Sequence, residues 1–111
     1  MVSLLPELLI FVPPAMVVDK WHYSPFAEPR LYDHLKEGGI DTLILSGAET
    51  DVCVLATVLS AVDLGYRVIV ASDALCSVSD ETHDALLTLY STRFGQQIEV
   101  ADVDTILGSW Q

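Results

Sequence analysis

Positive charge is scarce in this chain. Five Lys and Arg stand against sixteen Asp and Glu, a formal net charge of -11 over 111 residues. A surface this acidic repels phosphate backbones, so nucleic acid is not an expected partner. Cysteine is scarce too. Cys53 and Cys76 fall on separate expected elements, with no close spacing that suits zinc and too few thiols for a disulfide framework. A reducing cytoplasm is the simpler home for such a pair. The apolar opening from Met1 to Val18 has no Lys or Arg ahead of it and no small-x-small pattern, which argues against a signal peptide. Pro6, Pro13 and Pro14 interrupt it, which argues against a membrane span. No repeat, low-complexity tract or linker is evident. His22, His34 and His83 share no ligand spacing, so neither a metal nor a cofactor is expected.

What is present is apolar material, 51% of the chain, which is too much for a disordered segment and enough for one small domain. Its pattern alternates between short continuous apolar runs and longer helical ones. Ser3 to Phe11 reads as a short helix stopped by Pro13-Pro14, and Ala15 to Val18 as a buried strand. An irregular loop, Asp19 to Phe26, follows. A helix opening at Glu28 or Pro29 closes at Gly38-Gly39. Thr42 to Ser46 is a strand, about Asp51 to Leu64 an apolar helix, and Arg67 to Ser72 a strand bounded by Asp73. Glu81 to Phe94 is a helix, Ile98 to Val100 a strand, and Asp102 to Trp110 a last helix capped by Asp102 or Asp104 and anchored by Trp110. Apolar strands alternating with helices predict an α/β fold with a parallel sheet covered on both faces. Ligands in such sheets sit at the carboxyl ends of the strands.

Two loops leave such ends. One is Gly47-Ala48-Glu49-Thr50-Asp51-Val52-Cys53. Gly47 permits a sharp turn, and Thr50 is expected to cap the following helix with Asp51 beside its positive end. Cys53 then falls about three residues past the cap, near unpaired N–H groups that favour a thiolate. It is a candidate nucleophile, or else a small buried hydrophobe. The other loop carries Lys20, Trp21, His22 and Tyr23. Asp80, Glu81, His83 and Asp84 cluster, but acids in a first helical turn are ordinary dipole partners, and the three histidines read as surface or packing residues. Cys76 reads as structural.

These residues resemble the isochorismatase-like cysteine hydrolases, the superfamily that includes nicotinamidases and N-carbamoylsarcosine amidohydrolases. Asp19-Lys20-Trp21-His22-Tyr23-Ser24-Pro25-Phe26 is similar to the Lys-x-x-x-Ser-x-Phe loop of that family, and Gly47 to Cys53 to its nucleophile turn. Leu64-Gly65-Tyr66-Arg67-Val68 and Asp73-Ala74-Leu75 agree as well. The resemblance implies a three-layer α/β/α, Rossmann-like domain with strand order 3-2-1-4-5-6 and an Asp-Lys-Cys triad. It makes Cys53 the nucleophile and Lys20 the triad cation. It implies a cis peptide between Ala48 and Glu49 and an oxyanion hole from the N–H groups of Glu49 and Cys53. Trp21, Tyr23 and Phe26 either line the substrate pocket or close the core. A small amide or carbamoyl compound is the implied substrate, and a homo-oligomer the implied assembly.

The departure from the family lies upstream of Lys20, where Glu7 and Asp19 are the only carboxylates and neither sits in a first-strand motif. Asp19 adjoins Lys20 and would point away from it on an extended segment. The chain is therefore expected to correspond to the C-terminal half of the domain, with the N-terminal strands and triad aspartate missing, an exposed edge at Thr42 to Ser46, and poor stability alone. Two functions follow: a cysteine hydrolase of small C–N bonds, or an inactive fragment kept as a structural or pairing remnant.

Overall fold

The computed structural model describes residues 4–110. Three runs of aliphatic and β-branched residues form strands: β1, Thr42–Ala48; β2, Arg67–Cys76; and β3, Ile98–Ala101. They pair in parallel in the order β1-β2-β3. The helices are α1, Pro6–Leu9; α2, Pro29–Glu37; α3, Cys53–Asp63; α4, Asp80–Thr92; and α5, Val103–Ser109, with a short 3-10 turn at Pro25–Ala27. The chain is thus an α/β fold in which α3 and α4 are the crossovers between successive strands.

Strand alternation decides which side chains meet. Val68 and Val70 of β2 and Ile98 of β3 point to the same face, where Val54, Val58 and Ala61 of α3 and Tyr90 of α4 complete a buried cluster. The spacing of 54, 58 and 61 is one stripe of a helix. The residues between them on the strands face the other way. There Ile44, Ile69 and Ala101 meet Ile106 of α5 and Trp110 just after it around a cavity of about 220 Å3. Trp110, expected as an anchor, lines that cavity but stays exposed.

The N-terminal expectation fails in part. Ala15 to Val18 forms no strand, so the described sheet has three strands rather than four. Pro13 and Pro14 offer no N–H groups to a ladder, and the Ala15 N–H turns back to the Phe11 carbonyl at 2.8 Å. Apolar runs become strands only where a neighbour exists to pair with. The side chains of Leu5, Leu8, Leu9, Ile10 and Phe11 are exposed, and Ser3 lies outside the described residues. Among the described residues β1 pairs with β2 alone, which leaves its other edge unpaired.

β2 also runs past its expected end. The register slips between Leu45↔Val70 and Gly47↔Leu75, so β2 bows out around Asp73 before rejoining β1 as far as Cys76. The bow brings the Asp73 carboxylate to the Val103 N–H at 2.8 Å, where α5 begins. Gly47, at φ 114°, takes the backbone through a conformation that side chains oppose.

Candidate functional site

The carboxyl end of β1 turns through Glu49 to Val52 into α3. That turn is bonded from every side. The Glu49 carbonyl accepts from the N–H groups of Val52 (3.1 Å) and Val54 (3.0 Å). Thr50 is fully buried; its N–H donates to the Cys76 carbonyl at 3.0 Å and its own carbonyl accepts from the Tyr90 hydroxyl at 2.9 Å. Its hydroxyl shares a 2.7 Å hydrogen bond with His83 Nδ1 on α4. The Glu49 carboxylate accepts from the Val78 N–H at 3.0 Å, and the Asp51 carboxylate accepts from the Ser77 hydroxyl. That hydroxyl is the main reason the Asp51 carboxyl lies below its ordinary 3.8, against an opposing effect of partial desolvation. Burial, helped by the Asp51 charge, pushes the Tyr90 phenol up to about 12.

Thr50 therefore does not cap α3. The cap position is Val52, which offers no side-chain bond, and the helix starts at Cys53 itself. Cys53 is half-buried and free. The Ala48–Glu49 peptide is cis. Among the described residues neither the Glu49 N–H nor the Cys53 N–H has a backbone acceptor. Two donors beside one thiol thus have no backbone acceptor among the described residues, an arrangement that is chemically able to receive an oxyanion.

A cavity of about 250 Å3 opens at this end of β1, lined by Lys20, Pro25, Leu45, Ser46, Ala48, Cys53, Val54 and Thr57. Lys20 and Cys53 are its two titratable lining residues, and no carboxylate lines it. The Lys20 ammonium donates to the His22 carbonyl at 2.9 Å. The loop behind it is tied to α3 through Ser24, whose hydroxyl accepts the Phe26 N–H (3.2 Å) and bonds the Ser60 hydroxyl (2.9 Å). Among the described residues no group of His, Cys, Asp and Glu is arranged to hold a metal ion, and no helix is long and apolar enough to cross a membrane.

Comparison with known proteins bears on this geometry. The isochorismatase domain family matches residues 3–102. The chain belongs to that family. An uncharacterized isochorismatase family protein of Bacillus subtilis (strain 168) is 35% identical over 86 residues, which are 78% of this chain and 47% of the relative. Nicotinamidase 3 of Arabidopsis thaliana is 34% identical over 82 residues, 74% of this chain and 40% of the relative. Among solved structures, an isochorismatase-like hydrolase from Alkaliphilus metalliredigens superposes with a TM-score of 0.75 at 34% identity, over 91% of this chain and 57% of that one. The chain spans about half the length of the curated relatives it matches.

Within this isochorismatase-family fold the expected site residues separate. Lys20, Ala48 and Cys53 line one cavity, and Glu49 adjoins it. Trp21 and Tyr23 are exposed, 79% and 68%, on the outer side of the Lys20 loop, where with Lys20 and His22 they border a second, open cleft. Phe26 does not line the Cys53 cavity. It stacks on Tyr66 at 5.8 Å and packs against the core, because the 3-10 turn points it inward, so of the two roles open to it the structure favours core closure. Cys76, expected as structural, carries an exposed side chain; its contribution is the backbone carbonyl that holds Thr50. Sequence reasoning weighed His83 only as a surface or packing residue and did not connect it to Thr50. Its one available signal was its place in the first turn of α4, and nothing local pointed it at Thr50.

Proposed function

We propose that this isochorismatase-family chain is a cysteine hydrolase of a small amide or carbamoyl C–N bond. The observation that carries the reading is one cavity lined by both a helix-start cysteine and a lysine. In this reading Cys53 Sγ attacks the carbonyl carbon, and the Glu49 and Cys53 N–H groups receive the oxyanion. The C–N bond breaks, and the nitrogen leaves as ammonia or an amine with the proton the thiol gave up. Water then cleaves the thioester and restores the thiol. Lys20 lines the same cavity as that sulfur and is the residue assigned to carry the proton. The names of the relatives, among them a maleamate amidohydrolase and a ureidoacrylate amidohydrolase, support small amides as the substrate class. Residues 1–111 are read as one partial domain that works in a homo-oligomer.

A second reading has its own observation. No carboxylate lines the cavity, so a general base of the triad kind has no candidate among the lining residues. On that reading the chain is an inactive remnant. Ammonia release from nicotinamide and from N-carbamoyl compounds decides between them, with Cys53→Ala as the control. Turnover that disappears in the variant supports the hydrolase. Turnover that survives the substitution removes Cys53 from the mechanism, and no turnover on any small amide favours the remnant.

A further inference from the structure

The start of α3 poses a problem that local chemistry does not solve. A helix beginning at a nucleophile needs its first turn fixed, and the usual device is a side-chain cap. Val52 occupies the cap position and has no oxygen to offer. The residue with the right chemistry, Thr50, has every polar atom committed elsewhere. Its hydroxyl reaches His83, 33 residues away, at 2.7 Å, and its carbonyl is held by Tyr90 from about two turns further along the same helix.

We propose that His83 is a positioning residue for Cys53, acting through the buried Thr50 hydroxyl to fix the turn from which α3 starts. The inference rests on Cys53 being the reacting atom of the site. Thr50 is fully buried and His83 half-buried, so the bond is sheltered from competing water. Both partners sit on rigid elements: Thr50 between β1 and α3, His83 in the first turn of α4, where its own N–H is bonded to the Ser79 carbonyl at 3.0 Å. A threonine hydroxyl both donates and accepts, so the contact persists with either ring nitrogen protonated. Losing it frees the turn at Thr50, three residues before the sulfur, and displacements of about 1 Å at a reacting atom are costly.

The test reads the thiol directly. Iodoacetamide alkylation of Cys53 is followed by mass spectrometry at fixed pH in a Cys76→Ser background, so that one thiol reports. His83→Ala and Thr50→Val are each expected to slow the reaction about tenfold. His83→Asn, whose amide occupies nearly the place of Nδ1, is expected to stay within about threefold of the parent. Rates that match the parent in His83→Ala and Thr50→Val overturn the proposal, even if melting temperature falls, because a purely structural role moves stability alone. Slowing that His83→Asn does not rescue overturns it as well. If His83→Ala does not fold, Thr50→Val keeps the side-chain volume and carries the same comparison. No turnover is needed: absent amide hydrolysis with slowed alkylation removes the hydrolase reading and leaves this one, and the reverse result removes this one alone.

Discussion

The wall of the cavity that carries Cys53 and the wall that carries Lys20 are held in different ways. On the cysteine side, Glu49, Thr50 and Asp51 are bonded to Val78, Cys76, His83, Tyr90 and Ser77, with Thr50 shut away from water. On the lysine side, residues 20–23 are exposed, and the Lys20 ammonium is fixed to a carbonyl two residues along its own loop. That loop is bonded to the body of the fold behind the lysine, through Ser24 on Ser60 and Phe26 on Tyr66. Buried bonds have no water to replace them when broken, and exposed ones do. The place of the Cys53 thiol is therefore set by tertiary structure, and that of the Lys20 ammonium by a tether.

The largest expected effect separates the two walls by chemistry. Cys53→Ala should reduce hydrolysis of a responsive amide at least about a thousandfold. Lys20→Met should reduce it about a hundredfold, since water can stand in for a tethered proton carrier better than for a nucleophile. Initial rates of ammonia release check both, and a Lys20→Met enzyme as fast as the parent would break the comparison. Next in size is the tether. Phe26→Ala removes a half-buried ring from Tyr66 and should cost about 2 kcal/mol in urea unfolding, below the figure for a fully buried ring. The same variant should leave Cys53 alkylation within about twofold, because the cysteine wall does not lean on Phe26.

This division also explains what could be read from the residues in advance. The strands and crossovers of the 42–101 region follow from apolar runs that bury one another, and Gly47 and Gly65 mark where they stop or turn. The Cys53 turn was legible as a strand handing over to a helix at Gly47, although the helix starts at Cys53 and not at about Asp51. Ala15 to Val18 has equally good strand composition, yet a strand is a property of a pair, and one chain's pattern does not say whether the neighbour is present. Thr50 was misread because an N-cap is a local rule and its hydroxyl answers to a histidine on another helix. Phe26 was left open because loop aromatics look alike whether they face a pocket or a core. His83 was read as a surface or packing residue because its partner lies 33 residues away.

A smaller effect sharpens the cysteine side. Tyr90→Phe keeps the ring in the core and leaves the Thr50 carbonyl without its donor, which should cost about 1.5 kcal/mol. The phenol also sets an alkaline limit. Its folded value of about 12 exceeds the ordinary 10.0, so the folded state holds the proton more tightly. The stability it contributes is present below pH 10.0 and is lost as pH rises toward about 12. Urea midpoints over that window should fall in the parent and fall less in Tyr90→Phe, and equal losses would assign the alkaline limit to other groups.

The smallest effect concerns two carboxylates, half-buried Asp51 on the cysteine wall and exposed Asp102 remote from the cavity. Asp51 is held by the Ser77 hydroxyl, and Asp102 accepts the Thr105 N–H at 2.7 Å as the cap of α5. Both lie below the ordinary 3.8 for these hydrogen-bonding reasons, so each binds its proton less tightly folded than unfolded. Their contributions are present above pH 3.8 and are lost as pH falls through the lower folded values. Solvent screens both, so acidification from about pH 6 to about pH 3 should move the urea midpoint only slightly less in Asp51→Asn or Asp102→Asn than in the parent. The two variants should differ in the second readout. Loss of charge at Asp51 touches the segment that holds Thr50 and should alter Cys53 alkylation, while loss at Asp102 frays α5 on the far face of the sheet and should not. Equal alkylation in both would mean that the cysteine wall draws its rigidity from Thr50, His83 and Tyr90 without help from the Asp51–Ser77 bond.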